Sequence, residues 1–94
     1  MSIRKAVSLI KRQEEVKVII LFRENVLEDY KRQCYNLKDI SINDSENVEI
    51  ICNDKVIEIP IKEIDNVKCE LTYIVFYEDL RVTLFDFINK KRNT

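Results

Sequence analysis

The sequence predicts an α+β fold: an N-terminal helix, a central strand, a second helix, and then antiparallel β-hairpins forming a small sheet or half-barrel. Three observations lead there. Apolar residues recur at helical spacing over 2–14 and again over 26–36. Between these segments, Val16 to Phe22 switches to a period of two. From Lys38 onward, short runs rich in Ile, Val, Tyr and Phe are separated by Asn, Asp and Ser.

In the first segment Ile3, Ala6 or Val7, Leu9 and Ile10 share a helical face, and Ser2 stands where an N-cap is expected. Arg4, Lys5, Lys11 and Arg12 precede the first acid, Glu14. In the strand, Val16, Val18, Ile20 and Phe22 alternate with Lys17, Ile19 and Leu21. Both halves of that alternation are largely apolar, so the strand is expected to be central and covered on both faces. Asn25-Val26-Leu27-Glu28 then has the form of a capping box, with Glu28 and Asp29 at the positive end of a helix dipole. Val26 or Leu27, Tyr30, Cys34 and Leu37 follow at helical spacing, which predicts a helix over 26–36.

The remainder reads as β. Asp39 to Ile42 is a short strand, and Asn43 to Asn47 is a turn cluster. Val48 to Cys52 and Val56 to Ile61 flank Asn53-Asp54-Lys55 as a hairpin. Asn and Asp tolerate left-handed backbone and are expected to supply the turns. Pro60 marks an edge or a bend, because it cannot donate to a ladder. Residues 61–67 form a short connector. Cys69 to Tyr77 and Leu80 to Phe87 form a second hairpin, joined at Glu78-Asp79. Residues 1–94 read as a single domain, with 89–94 as a frayed basic tail.

Within this β part, the stretch from Val56 to Val67, in which Ile59-Pro60 is followed by Ile64 and Val67, resembles the middle of GRAM and bacterial PH-like domains. Those are small bent sheets that bind lipid head groups or peptides. Small Sm-like barrels, minus their glycines, fit 16–68 about as well, so the sequence identifies no family.

Composition narrows the chemistry. The chain has 94 residues, 46% hydrophobic and 35% charged, with no histidine and no glycine. Without His there is no imidazole base, no Ser-His or Cys-His pair and no His-ligated metal. Without Gly there is no phosphate-cradling loop of the P-loop or dinucleotide-binding type. No catalytic residue set, cofactor or metal is expected. Cys34, Cys52 and Cys69 are odd in number and widely spaced, a poor disulfide framework. They read as small buried hydrophobes, with Cys52 and Cys69 as candidate neighbours on adjacent strands. No apolar run reaches the ~18 residues of a membrane span, and Lys11 and Arg12 interrupt any leader-like apolar region. A cytoplasmic location is expected.

The remaining candidates are surface features. The carboxylate pairs Glu14/Glu15, Glu28/Asp29 and Glu78/Asp79 read as capping and solvation. Tyr73, Phe76, Tyr77, Phe85 and Phe87 crowd the C-terminal hairpin, where core packing competes with an aromatic protein interface. Charge is unevenly spread. Residues 1–38 carry nine basic and five acidic groups, residues 39–86 carry four and twelve, and 87–94 carry three basic groups.

The first expectation is therefore a small non-catalytic protein-binding module, a regulator or inhibitor that docks on a larger partner protein of unknown identity. Tyr73, Tyr77, Glu78, Asp79 and Arg81 are its candidate contacts. The alternative is an adaptor for an anionic surface, nucleic acid or acidic membrane. It would use Arg4, Lys5, Lys11, Arg12, Lys90, Lys91 and Arg92. At a net charge of −1, nucleic acid is the weaker choice. A homodimer formed through exposed sheet edges is a third expectation.

Overall fold

The N-terminal segment has both a cap and a buried stripe. A computed structural model, which describes residues 2–88, places helix α1 at Ile3–Lys11. The Ser2 hydroxyl accepts from the Lys5 backbone N–H at 3.1 Å, satisfying a donor that a helix start leaves open. Ala6, Val7 and Ile10 are buried, while Arg4, Lys5, Ser8, Lys11 and Arg12 are exposed.

Among the described residues the rest of the regular structure is strand, apart from one 3-10 turn at Ile61–Glu63. The strands are β1 (Val16–Phe22), β2 (Lys31–Ile42), β3 (Asn47–Cys52), β4 (Val56–Pro60), β5 (Asn66–Cys69), β6 (Tyr73–Tyr77) and β7 (Arg81–Phe87). They form one antiparallel sheet in the order β4-β3-β2-β1-β7-β6-β5.

Two features curl this sheet around a core. First, β2 serves two partners: residues 31–36 pair with β1 and residues 37–42 with β3, with a register shift between Leu37 and Asp39. An extra residue in one strand bends it, and strands that change sheets at such bends make the corners of crossed sheets. Second, β4 and β5 are the two edges, yet only residues 61–65 separate them. The six Cα steps from Pro60 to Asn66 reach at most about 21 Å, whereas seven flat strands would span about 29 Å. The edges must therefore approach. Val18 and Ile20 of β1, Ile74 and Phe76 of β6 and Phe85 of β7 meet Ile40, Val48, Ile50, Ile57 and Ile59 of the other half. Phe76 and Phe85 pack edge to face, with ring centroids 5.1 Å apart. Helix α1 packs against β2 and β5 and adds Ala6, Val7 and Ile10 to the same core.

The α+β expectation is overturned: the protein is mostly β, with one N-terminal helix. Residues 26–36 are not a helix but a loop followed by the start of β2. The capping-box residues do bond to one another, yet they close a loop. Leu27 N–H donates to Asn25 Oδ1 at 2.9 Å, and Asn25 Nδ2 donates to Glu28 Oε1 at 3.0 Å. Lys31 to Asn36 instead supply the partner that β1 needs on its second edge, so tertiary pairing overrides local propensity.

Nor do the C-terminal strands form a small sheet of their own, because β7 pairs with β1 at the centre of the larger one. Asp39 to Ile42 is the end of β2 rather than a separate strand. Cys69 to Tyr77 is broken at residues 70–72 into β5 and β6. The one described residue with positive φ is Glu46, at 58°, rather than an Asn or Asp. Asn43 holds that turn, its Oδ1 accepting from the N–H groups of Ser45 (3.0 Å) and Asn47 (3.1 Å). Finally, β1 is central, with Val16, Val18 and Ile20 buried on one face and Lys17, Ile19 and Leu21 half-buried on the other.

Candidate functional site

At the end of β1 remote from its connection to α1, the curled sheet opens into two hollows that share Phe22 and Arg81. One, of about 610 Å³, lies between the 61–65 connector and the β6–β7 turn, with Arg23, Lys62, Asp65 and Glu78 on its walls. The other, of about 450 Å³, runs along the free edge of β4 past Lys55 to Glu58, with Ile20 and Gln33 opposite.

The β6–β7 turn is held by a two-point ion pair. Arg81 Nε donates to Glu78 Oε1 at 2.7 Å, and Arg81 Nη2 donates to Glu78 Oε2 at 3.0 Å. The Glu78 side chain is 9% exposed and that of Arg81 28%. The Glu78 carboxylate is therefore committed inward, while Asp79 and Leu80 project to solvent. The Arg23 N–H donates to the Leu80 carbonyl at 3.0 Å, which ties this turn to the end of β1.

From there the β1–β2 loop, residues 23–30, stands out beside the turn. Its base is stapled by Arg23, whose guanidinium lies 4.6 Å from the centre of the Tyr30 ring. Arg23 Nη1 also donates to the Val26 carbonyl at 3.2 Å. The Asn25 and Glu28 bonds close the tip, and Glu24 N–H adds a bond to Glu28 Oε2 at 3.4 Å. The result is an ordered loop that presents Val26 at 66% and Leu27 at 94% exposure. Around it Glu24, Asp29, Glu63, Asp65 and Asp79 are exposed, against Lys31, Arg32 and Lys62. This end of the molecule is apolar at its tips and acidic around them.

The structure divides the sequence-derived candidates. Glu78, Asp79 and Arg81 lie at the open end. Tyr73 and Tyr77, on β6, share a sheet face with Val75, on the opposite side from Ile74 and Phe76. Lys68 on the neighbouring strand lies 5.8 Å from the Tyr73 ring centre. The neighbouring Tyr73 side chain and then Glu70 raise the Lys68 ammonium above its ordinary range. Phe76 and Phe85 are core, and Phe87 packs against it.

Arg4, Lys5, Lys11 and Arg12 all lie on the solvent side of α1, with Lys11 Nζ 3.8 Å from Asp39 Oδ1. Lys90, Lys91 and Arg92, with the rest of the 89–94 tail, lie outside the described residues. Cys52 and Cys69 are not on adjacent strands, since β3 and β5 lie in different halves of the sheet. Cys52 is buried, and burial pushes its thiol pKa up, which disfavours the reactive thiolate; Cys34 is exposed.

Sequence reasoning missed Phe22, Arg23, Val26 and Leu27. Their only signal was the Asn25–Glu28 spacing, which fits a self-closing loop as well as a helix start. Among the described residues no group of three or more Cys, Asp or Glu could hold a metal ion, and no helix is long and apolar enough to cross a membrane. Comparison of the chain with protein families, with characterised proteins and with solved structures returns no match.

Proposed function

We propose that the protein is a non-catalytic binding module that docks its open end on a larger protein and regulates or inhibits it. The observation that carries this reading is the β1–β2 loop: four side-chain and backbone hydrogen bonds hold Val26 and Leu27 outward. An ordered apolar tip avoids part of the ordering cost of association. The acidic residues beside it favour a partner surface that is basic around an apolar socket. The hollow next to the tip, floored by Phe22, can accept a side chain from that partner. The absence of His and Gly from the sequence supports a role without catalysis.

Affinity capture from native lysate tests the reading, with wild-type chain and the variants Leu27→Asp and Asp79→Lys as baits. A protein retained by wild type and lost on Leu27→Asp supports it. Identical capture by all three baits removes the open end as the docking site. Glu78 is a poor probe, because changing it breaks the turn.

A second reading rests on α1, whose four cations Arg4, Lys5, Lys11 and Arg12 face solvent with no acid in the helix. As an adaptor for an anionic surface it predicts binding to heparin or duplex DNA that weakens steeply with salt. Binding that is absent at low salt, or flat across salt, eliminates it.

A further inference from the structure

We infer that the free edge of β4, with the smaller hollow beside it, is a groove that binds an extended segment of another protein as an added strand, apolar and acidic on its inward side. The hydrogen-bond pattern fixes which groups face that edge. The Cys52 N–H donates to the Lys55 carbonyl at 2.8 Å, and the Ile61 N–H donates to the Glu46 carbonyl at 3.1 Å. These two pairs continue the β3–β4 register at its two ends. Bonded and unbonded pairs alternate along an antiparallel ladder. Ile57 and Ile59 therefore bond to Ile50 and Val48, while Val56 and Glu58 turn their N–H and C=O groups away from β3. Among the described residues no strand pairs with that side. Pro60, next in the same phase, has no N–H to give, so the open run is short. A short run suits one added peptide strand and guards against sheet-to-sheet stacking. The other edge, β5, has α1 packed on it.

The side chains specify the occupant. The hollow of about 450 Å³ has Ile20, Phe22 and Ile57 in its wall, all from the face that encloses the core. A strand bonded to β4 lies about 4.8 Å beyond it, and its alternate side chains enter the hollow against these three. Its other side chains cover Val56, which is 58% exposed. Charge narrows the choice further. Lys55 is exposed on the wall, and Lys31 lies directly across from Phe22. Neither has a carboxylate partner among the described residues. The remaining charges on the wall are committed. Arg81 pairs with Glu78, and Glu58 accepts from the side-chain amides of Asn43 (3.3 Å) and Asn47 (3.4 Å). An acidic inward residue flanked by apolar ones complements what is left. The chain's own residues 89–94 do not: they carry three basic groups and no acid. They also follow Ile88, whose N–H bonds the Glu15 carbonyl at the far end of β1. This groove is basic where the β1–β2 loop is ringed by acids, so the inference does not rest on the docking reading.

Amide hydrogen exchange of the full chain tests it, with the end-capped peptide Thr-Val-Thr-Glu-Thr-Val-Thr as probe. Its inward positions are Val, Glu and Val. Without peptide, the Val56 and Glu58 amides should exchange about tenfold or more faster than those of Ile57 and Ile59. With free peptide at about ten times Kd, Val56 and Glu58 should slow about tenfold, following the unbound fraction. Leu71, at 96% exposure and away from the groove, should keep its rate. Replacing the peptide's Glu by Lys should weaken binding about fivefold at low salt, and Lys55→Glu should weaken the acidic peptide similarly. Leu27→Asp should bind the peptide as wild type does, so loss of the docking site and loss of the groove read out separately. No binding up to about 1 mM peptide overturns the inference. So do Val56 and Glu58 amides already protected in the free chain, protection that falls elsewhere, or equal affinity for the two peptides. The exchange measurement uses unaltered protein and decides the matter even if Lys55→Glu fails to fold.

Discussion

The two faces of β1 and β7 carry similar side chains and meet different fates. On the inner face Val18, Phe85 and Thr83 are fully buried and Ile20 nearly so. On the outer face Ile19, Leu21, Val82 and Leu84 are only half-buried, although they alternate with the buried set along the same strands. The inner residues are closed off by β3, β4 and α1, which arrive from distant parts of the chain. Among the described residues no helix or other strand layer packs over the outer set. An apolar residue in a strand reports that the position suits burial, while a second layer decides whether burial occurs.

The largest expected effect would break this contrast outright. Phe76→Ala should cost about 3–5 kcal/mol in urea unfolding, because it opens a cavity between the two halves of the sheet. Leu84→Ala should cost about 1 kcal/mol or less. Equal costs would mean the outer face is as well packed as the inner one. The β6–β7 turn offers the same contrast between neighbours. Glu78→Ala should cost roughly 1–3 kcal/mol, since it leaves the partly buried Arg81 without its carboxylate. Asp79→Ala should fall within about 0.5 kcal/mol of wild type.

Smaller effects sharpen the picture. Thr83 is fully buried and its Oγ1 has no hydrogen-bond partner among the described residues. Thr83→Val keeps the shape and removes the orphan, so unfolding should require about 1 kcal/mol more; a loss of stability would show that the hydroxyl is satisfied. The smallest effect is a pH slope. Burial raises the Cys52 pKa, so folding favours its neutral thiol. That stabilising preference is complete below the ordinary thiol range, about pH 8.5. It is lost as pH rises toward and through the raised folded value. Cys52→Ala should flatten this part of the stability profile, and an unchanged slope would assign it to another group.

Helix α1 was readable because its determinants are local: Ser2 caps it and Ala6, Val7 and Ile10 form its stripe. The strand Val16–Phe22 was readable from its two-residue period. Residues 31–36 were not, because Lys31, Arg32 and Gln33 favour a helix while Val18–Tyr35 pairing favours a strand. The site was readable in part. The Glu78–Arg81 turn drew attention by charge, but nothing in the residue types told which carboxylate would turn inward. Leu27 stayed hidden because its spacing to Tyr30 and Cys34 also suits a helix face. Tyr73 and Tyr77 belonged to the right strand but to the face away from the open end.

The sequence by itself determined the capped basic helix, the two-sided apolar strand, the acidic middle and the lack of imidazole and glycine-loop chemistry. Each depends on residue identity or on groups within a few positions of one another. Only the tertiary structure decided that 31–36 is strand, that β1 lies between β2 and β7, that the sheet curls and which face of it encloses the core. Those outcomes depend on partners such as Ile19 and Leu84, 65 positions apart, whose pairing repays loop closure only when the whole core is buried at once.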